Sequence, residues 1–110
     1  MKTRPLQTSF STADASYPEL HSVGGNLHLR FKDWRERDVH VTFHDVIAFK
    51  WQQADEGLLQ DDACEVIDST WLDQFIQADT IPPDSGHRHL CFNFNASGQL
   101  DVICMRFAEE

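Results

Sequence analysis

The side chains of this 110-residue chain best equipped for chemistry are six histidines, three cysteines and 18 acidic residues, set against only nine Lys and Arg. A zinc centre needs three or four ligands converging on one ion. His40 and His44 share a strand face, but at roughly 3.3 Å per residue they stand about 13 Å apart. His28 meets His44 in one permitted strand register, and His87 lies two positions from His89. Only two-ligand pairs come within reach, so no metal and no cofactor is expected. A calcium loop is excluded by the missing series of alternating Asp and Asn closed by a glutamate.

Nucleophilic catalysis finds no support either. The chain has no G-x-S-x-G elbow, no glycine loop to cradle phosphate and no H-E-x-x-H pair, so no catalytic residues are assigned and the protein is read as not an enzyme. Cys64, Cys91 and Cys104 are odd in number and lack C-x-x-C spacing. They read as reduced, buried thiols that pack as small hydrophobes.

Charge placement carries more information. The formal net charge is -9, and no Lys or Arg occurs between Trp51 and His87. Half the acids fall in that interval, namely Asp55, Glu56, Asp61, Asp62, Glu65, Asp68, Asp73, Asp79 and Asp84. Gathering them on a small domain costs stability through self-repulsion; such a patch is either a solvated face that keeps the protein soluble or a surface that steers and docks a cationic partner. The same charge disfavours direct nucleic-acid binding, which depends on Lys and Arg displacing counterions. Among the tryptophans, Trp51 and Trp71 sit in patterned apolar segments and belong to the core. Trp34, flanked by Lys32, Arg35 and Arg37, is either an exposed aromatic of the type found in binding hot spots or a ring folded back over the hairpin to cover the core edge. The partner-binding candidates are therefore Asp55, Glu56, Asp61, Asp62, Asp68, Asp73 and Trp34.

The elements that must carry these residues follow from periodicity. Residues 1–18 read as an irregular strap and residues 19–110 as a single α+β domain. Glu19 to Val23 and Asn26 to Lys32 are strands joined by the hairpin signal Gly24-Gly25. Asp38 to His44 alternates again, and the inward set Val39, Val41 and Phe43 must oppose Leu27, Leu29 and Phe31. The outer face then holds His28, Arg30 and Lys32 beside His40, Thr42 and His44, a cationic or titratable strip opposite in character to the acidic segment.

Asp45 to Trp51 is apolar on both faces, which predicts a more central strand. A loop at 52–62 precedes a short strand from Ala63 to Ile67. Asp68 or Ser69 caps a helix from about Thr70 to Gln77, with Trp71 and Phe75 stacked at i, i+4. The chain closes on a hairpin of His89 to Phe94 and Leu100 to Phe107, whose Val102 to Met105 stretch belongs in a central strand. The fold class is α+β, a mainly antiparallel sheet of about five to six strands with one short helix packed on it. No segment reaches membrane-spanning length and the first ten residues lack the apolar region of a leader, so a cytoplasmic location is expected.

The segments Leu27 to Trp34, Phe43 to Phe49, Glu65 to Leu72 and Leu100 to Cys104 together resemble those of the small immunity proteins encoded beside bacterial polymorphic toxins, including contact-dependent growth inhibition systems. The resemblance covers most of the chain from Glu19 onward and carries over no individual functional residue. It implies a cytoplasmic protein that binds one cognate toxin, often a nuclease with a basic cleft, and occludes its active site, with no direct nucleic-acid or membrane partner. The alternative from another class is a non-catalytic small-ligand-binding or homo-oligomeric accessory domain, with a homodimer as its simplest form.

Overall fold

The computed structural model describes residues 2–53, 63–94 and 97–110. Among them the chain forms β1 (Thr3–Pro5), β2 (Glu19–Val23), β3 (Asn26–Lys32), β4 (Asp38–His44), β5 (Ala48–Gln53), β6 (Ala63–Val66), α1 (Thr70–Gln77), β7 (Arg88–Phe94), β8 (Gly98–Cys104) and β9 (Arg106–Glu109). The strands make two antiparallel sheets, one ordered β1-β6-β7-β8-β5 and one ordered β2-β3-β4-β9. The mainly antiparallel α+β character agrees with the sequence pattern, but nine strands in two sheets exceed the five to six anticipated.

Alternation explains how the sheets face each other. Leu27, Leu29 and Phe31 of β3 oppose Phe43, Val41 and Val39 of β4, the register that the inward sets demand. Leu90, Phe92 and Phe94 of β7 and Leu100, Val102 and Cys104 of β8 line the other sheet, and all of these except the half-buried Val39 are buried in one shared core. Edge-to-face rings cross the interface, Phe31 on Phe94 at 5.1 Å and Phe43 on Phe92 at 5.4 Å. Such pairs add to the transfer free energy of burying the rings. Gly24 and Gly25 both have positive φ, as a two-residue turn of the β2–β3 hairpin requires.

The extra strands have physical reasons. The apolar run from Leu100 to Phe107 is continuous in sequence, yet it bends at Met105, so β8 completes one sheet and β9 the other. Asp45, with φ at 55°, turns the chain between β4 and β5 in the same way. Within the segment read as a strap, Thr3–Pro5 pairs with β6, and Phe10 is buried against Phe31 and Phe92. The β5 segment is an edge strand rather than a central one. Its inner face seats Trp51 against Phe94 while Phe49 stays exposed, and its outer face presents Lys50 and Gln52 to β8.

One glycine is fixed by close approach rather than by φ. A Cβ on Gly98 would collide with the Gln52 carbonyl oxygen and come within 2.7 Å of the Trp51 ring. Gly98→Ala is therefore expected to pry the start of β8 from β5 and destabilise the fold by about 1–3 kcal/mol or more. Urea unfolding followed by tryptophan fluorescence reads this directly, and a midpoint unchanged from wild type would refute it.

Candidate functional site

The inward residues of β7 and β8 leave His89, Cys91, Gln99, Asp101 and Ile103 on the sheet's outer face. The register sets Cys91 between Cys64 and Asp101, Asp101 opposite Lys50, and His89 between Val66 and Ile103. A single charged residue in the middle of a fully buried strand needs partners, because an unpaired buried charge is very costly. Those partners come from the start of α1.

Ser69 is the helix N-cap, and its Oγ accepts the Leu72 N–H at 3.0 Å. The same oxygen lies 2.7 Å from Nδ1 of His89, and Nε2 of that ring lies 2.7 Å from Oδ1 of Asp101. Gln99 donates through Nε2 to the other carboxylate oxygen at 3.0 Å. A carboxylate only accepts, so His89 donates through Nε2; its neutral Nδ1 then accepts from the Ser69 hydroxyl. The result is a directed chain from the Leu72 amide through Ser69 and His89 to Asp101. Burial pushes the Asp101 carboxyl up, but the hydrogen bonds from His89 and Gln99 and the nearby Lys50 charge outweigh it and hold it below the usual carboxylate range.

This is a serine, histidine and carboxylate in hydrogen-bonded series, the residue types of a hydrolytic triad. Their surroundings favour a different role. Ser69, His89 and Asp101 are 5, 6 and 4% exposed, and the Ser69 oxygen is already engaged by the helix amide. The imidazole also presents Nδ1 to the serine, the reverse of the usual triad orientation. The arrangement acts as a latch that fixes the first turn of α1 to β7 and β8. Trp71 packs edge-on over the His89 ring at 5.2 Å, and the Lys50 ammonium sits 4.6 Å from the centre of the Trp71 ring. A hollow of about 370 Å³ opens onto the latch itself, lined by Ser69, His89 and Asp101 together with Lys50, Gln99 and Trp71.

The latch determines where two of the anticipated binding residues stand. Asp68 and Asp73 are both exposed, flanking the fixed helix start. Asp68 accepts the Lys2 N–H at 2.6 Å, and that backbone hydrogen bond is the main reason its carboxyl titrates low. Asp73 lies in the first helical turn, where the helix dipole favours an anion. Asp55, Glu56, Asp61 and Asp62 lie outside the described residues.

Glu65, counted within the acidic segment, turns inward instead, with Arg4 at 2.8 Å and Arg88 at 3.0 Å on one carboxylate oxygen. Burial alone would raise its carboxyl, but the two guanidinium groups bring it down below the ordinary range.

Trp34 is 55% exposed on the turn between β3 and β4, with the Arg35 guanidinium 4.5 Å from the ring centre. Asp33 pins that turn by accepting the N–H groups of Arg35 and Arg37. The turn belongs to the other sheet, and among the described residues no contact brings Trp34 together with Asp68 or Asp73.

The outer strip of the four-stranded sheet is mixed in charge rather than cationic. Lys32 pairs with Asp38 at 3.3 Å and His40 with Glu110 at 2.8 Å. All three cysteines are buried, as their apolar settings suggest. Burial raises Cys104 to about 12, and hydrogen bonding to Cys64 is the main reason the Cys91 thiol is pushed up further.

The sequence reading left the cap open between Asp68 and Ser69, which the structure resolves to Ser69, and missed His89, Gln99 and Asp101. The available signal was Asp101 itself, a charge flanked on both sides by residues of a strand with two apolar faces. Comparison with known proteins returns no matching family model, no matching curated protein and no matching solved structure. Among the described residues, no helix is long and apolar enough to cross a membrane.

Proposed function

We propose that this protein is a non-catalytic, immunity-type inhibitor that binds a basic bacterial toxin domain, a nuclease by preference, and occludes its active site in the cytoplasm. The observation that carries the reading is the exposed pair Asp68 and Asp73 on a helix start fixed by a buried latch. Residues 52–86 supply further carboxylates and no Lys or Arg to neutralise them. A fixed acidic surface suits a cleft built to hold phosphate, because its carboxylates raise the encounter rate and are already in place on contact.

The test is neutralisation. The C-terminal domain of any large secreted protein that the neighbouring reading frame proves to encode is expressed in a sensitive bacterial host, with and without the chain. Restored growth and an isolable one-to-one complex are expected. Continued growth arrest with both proteins soluble would overturn the proposal.

A further inference from the structure

Away from the acidic surface, two imidazoles on the outer face of the four-stranded sheet meet nitrogen to nitrogen. The register sets His28 opposite Thr42 and His40 opposite Arg30, so the histidines are diagonal neighbours on adjacent strands. Their rings are 5.2 Å apart, with Nδ1 of His28 3.0 Å from Nε2 of His40. The other nitrogen of His40 faces the Glu110 carboxylate at 2.8 Å. A carboxylate accepts only, so His40 donates its Nδ1–H to Glu110 and, as the neutral imidazole, keeps the Nε2 lone pair facing His28. Thr42 ties the same carboxylate down from below, donating to it at 3.0 Å, and its hydroxyl lies 3.3 Å from Nδ1 of His28.

We infer that His28 and His40 form a binding site for a divalent transition-metal ion, with Glu110 as the carboxylate that orients the His40 ligand. Imidazole is the ligand of choice for zinc, copper and nickel, and histidine ligands characteristically give their second nitrogen to a carboxylate. Two nitrogens each about 2.0–2.1 Å from one ion stand roughly 2.8 Å apart at a square-planar corner and about 3.4 Å apart at a tetrahedral one. The observed 3.0 Å falls between these limits, so the nitrogens need not separate; the ion lies to one side of the N–N line and both rings turn to aim their lone pairs at it, the shared proton leaving to solvent. Among the described residues no third His, Cys, Asp or Glu converges on the same point. Water or a donor from a bound partner completes the coordination. The site is independent of the toxin-binding reading, since it lies on the opposite sheet from α1.

The experiment is calorimetric titration of the untagged full chain with CuCl2 and with ZnCl2, alongside electron paramagnetic resonance of the copper form. One ion per chain is expected, copper tighter than zinc as the general affinity order requires, with a resonance spectrum showing nitrogen donors. His28→Ala and His40→Ala should each weaken binding by about tenfold or more, and Glu110→Gln by about tenfold, the range found when second-layer partners of metal ligands are removed. His87→Ala, in the loop before β7, should leave it unchanged. If an alanine variant fails to fold, the asparagine variant at the same position takes its place in the titration. Absence of binding, or binding that survives replacement of both His28 and His40, would overturn the assignment.

Discussion

Replacing His89 with alanine is expected to lower the free energy of unfolding by about 3–5 kcal/mol, the range for removing one partner of a buried, hydrogen-bonded charge. The loss is large because Asp101, 4% exposed in the native protein, would lose the donor on one carboxylate oxygen while keeping Gln99 on the other, and Ser69 would lose the acceptor for its hydroxyl. Ser69→Ala removes the cap and one end of the chain but strands no charge, so about 1–2 kcal/mol is expected. Asp101→Asn should be the mildest. Its amide oxygen still accepts from His89, and Gln99 has an unpartnered buried Oε1 that can turn to accept from the new amide.

These three variants order the latch by mechanism, and chemical denaturation at neutral pH measures all of them. A His89→Ala loss below about 1 kcal/mol would show that the network is not holding α1.

The same network sets an acid limb to stability. Asp101 and Glu65 have carboxyl groups held below their unfolded values. In the folded state they therefore bind fewer protons than in the unfolded chain wherever the unfolded carboxylates titrate. Their contribution is complete above the unfolded carboxylate range, near pH 4–5, and is lost as pH falls through the lower folded values. Denaturation midpoints of wild type should be level with respect to these groups from pH 7 to about 5 and drop below that. Asp101→Asn should show a shallower drop. An identical slope in the two proteins would remove Asp101 from the account.

Reversing the two exposed charges, Asp68→Lys with Asp73→Lys, is expected to slow association with a basic toxin domain by about tenfold or more at low salt while changing dissociation little. Rim charges act on encounter through the long-range field, and that field is screened within about 8 Å at physiological ionic strength. The difference between variant and wild type should therefore shrink as salt rises. Asp68→Asn provides the necessary control, because it removes the charge but keeps an oxygen that can accept the Lys2 N–H. Stopped-flow association at two salt concentrations separates the cases, and rates indistinguishable from wild type at low salt would rule out this docking surface.

What the sequence made legible was local. The bounds of α1 at Thr70 and Gln77, a cap at Asp68 or Ser69, the Gly24-Gly25 hairpin and the facing of β3 on β4 all depend on neighbours a few residues apart or on a single alternating pattern. The second sheet was not legible. The bend at Met105 interrupts an apolar run that has no glycine or proline to announce it, and the edge position of β5 depends on which strands pair elsewhere.

The site followed the same division. Asp68 and Asp73 were readable as charges, whereas Ser69, His89 and Asp101 meet only after an inter-strand register and a helix position are both fixed. Glu65 shows the converse error, since a count of acids along the chain cannot tell a surface carboxylate from one turned onto Arg4 and Arg88.

The bend at Met105 has one more consequence, for how the molecule comes apart. Because β8 and β9 are a single run of backbone split between two sheets, with Met105 itself bonded to the His44 carbonyl, neither sheet can peel away while the other stays intact. Amide protons of β4 and β8 should therefore exchange together in one opening event, and the two layers behave as a single cooperative unit rather than as halves with separate lifetimes.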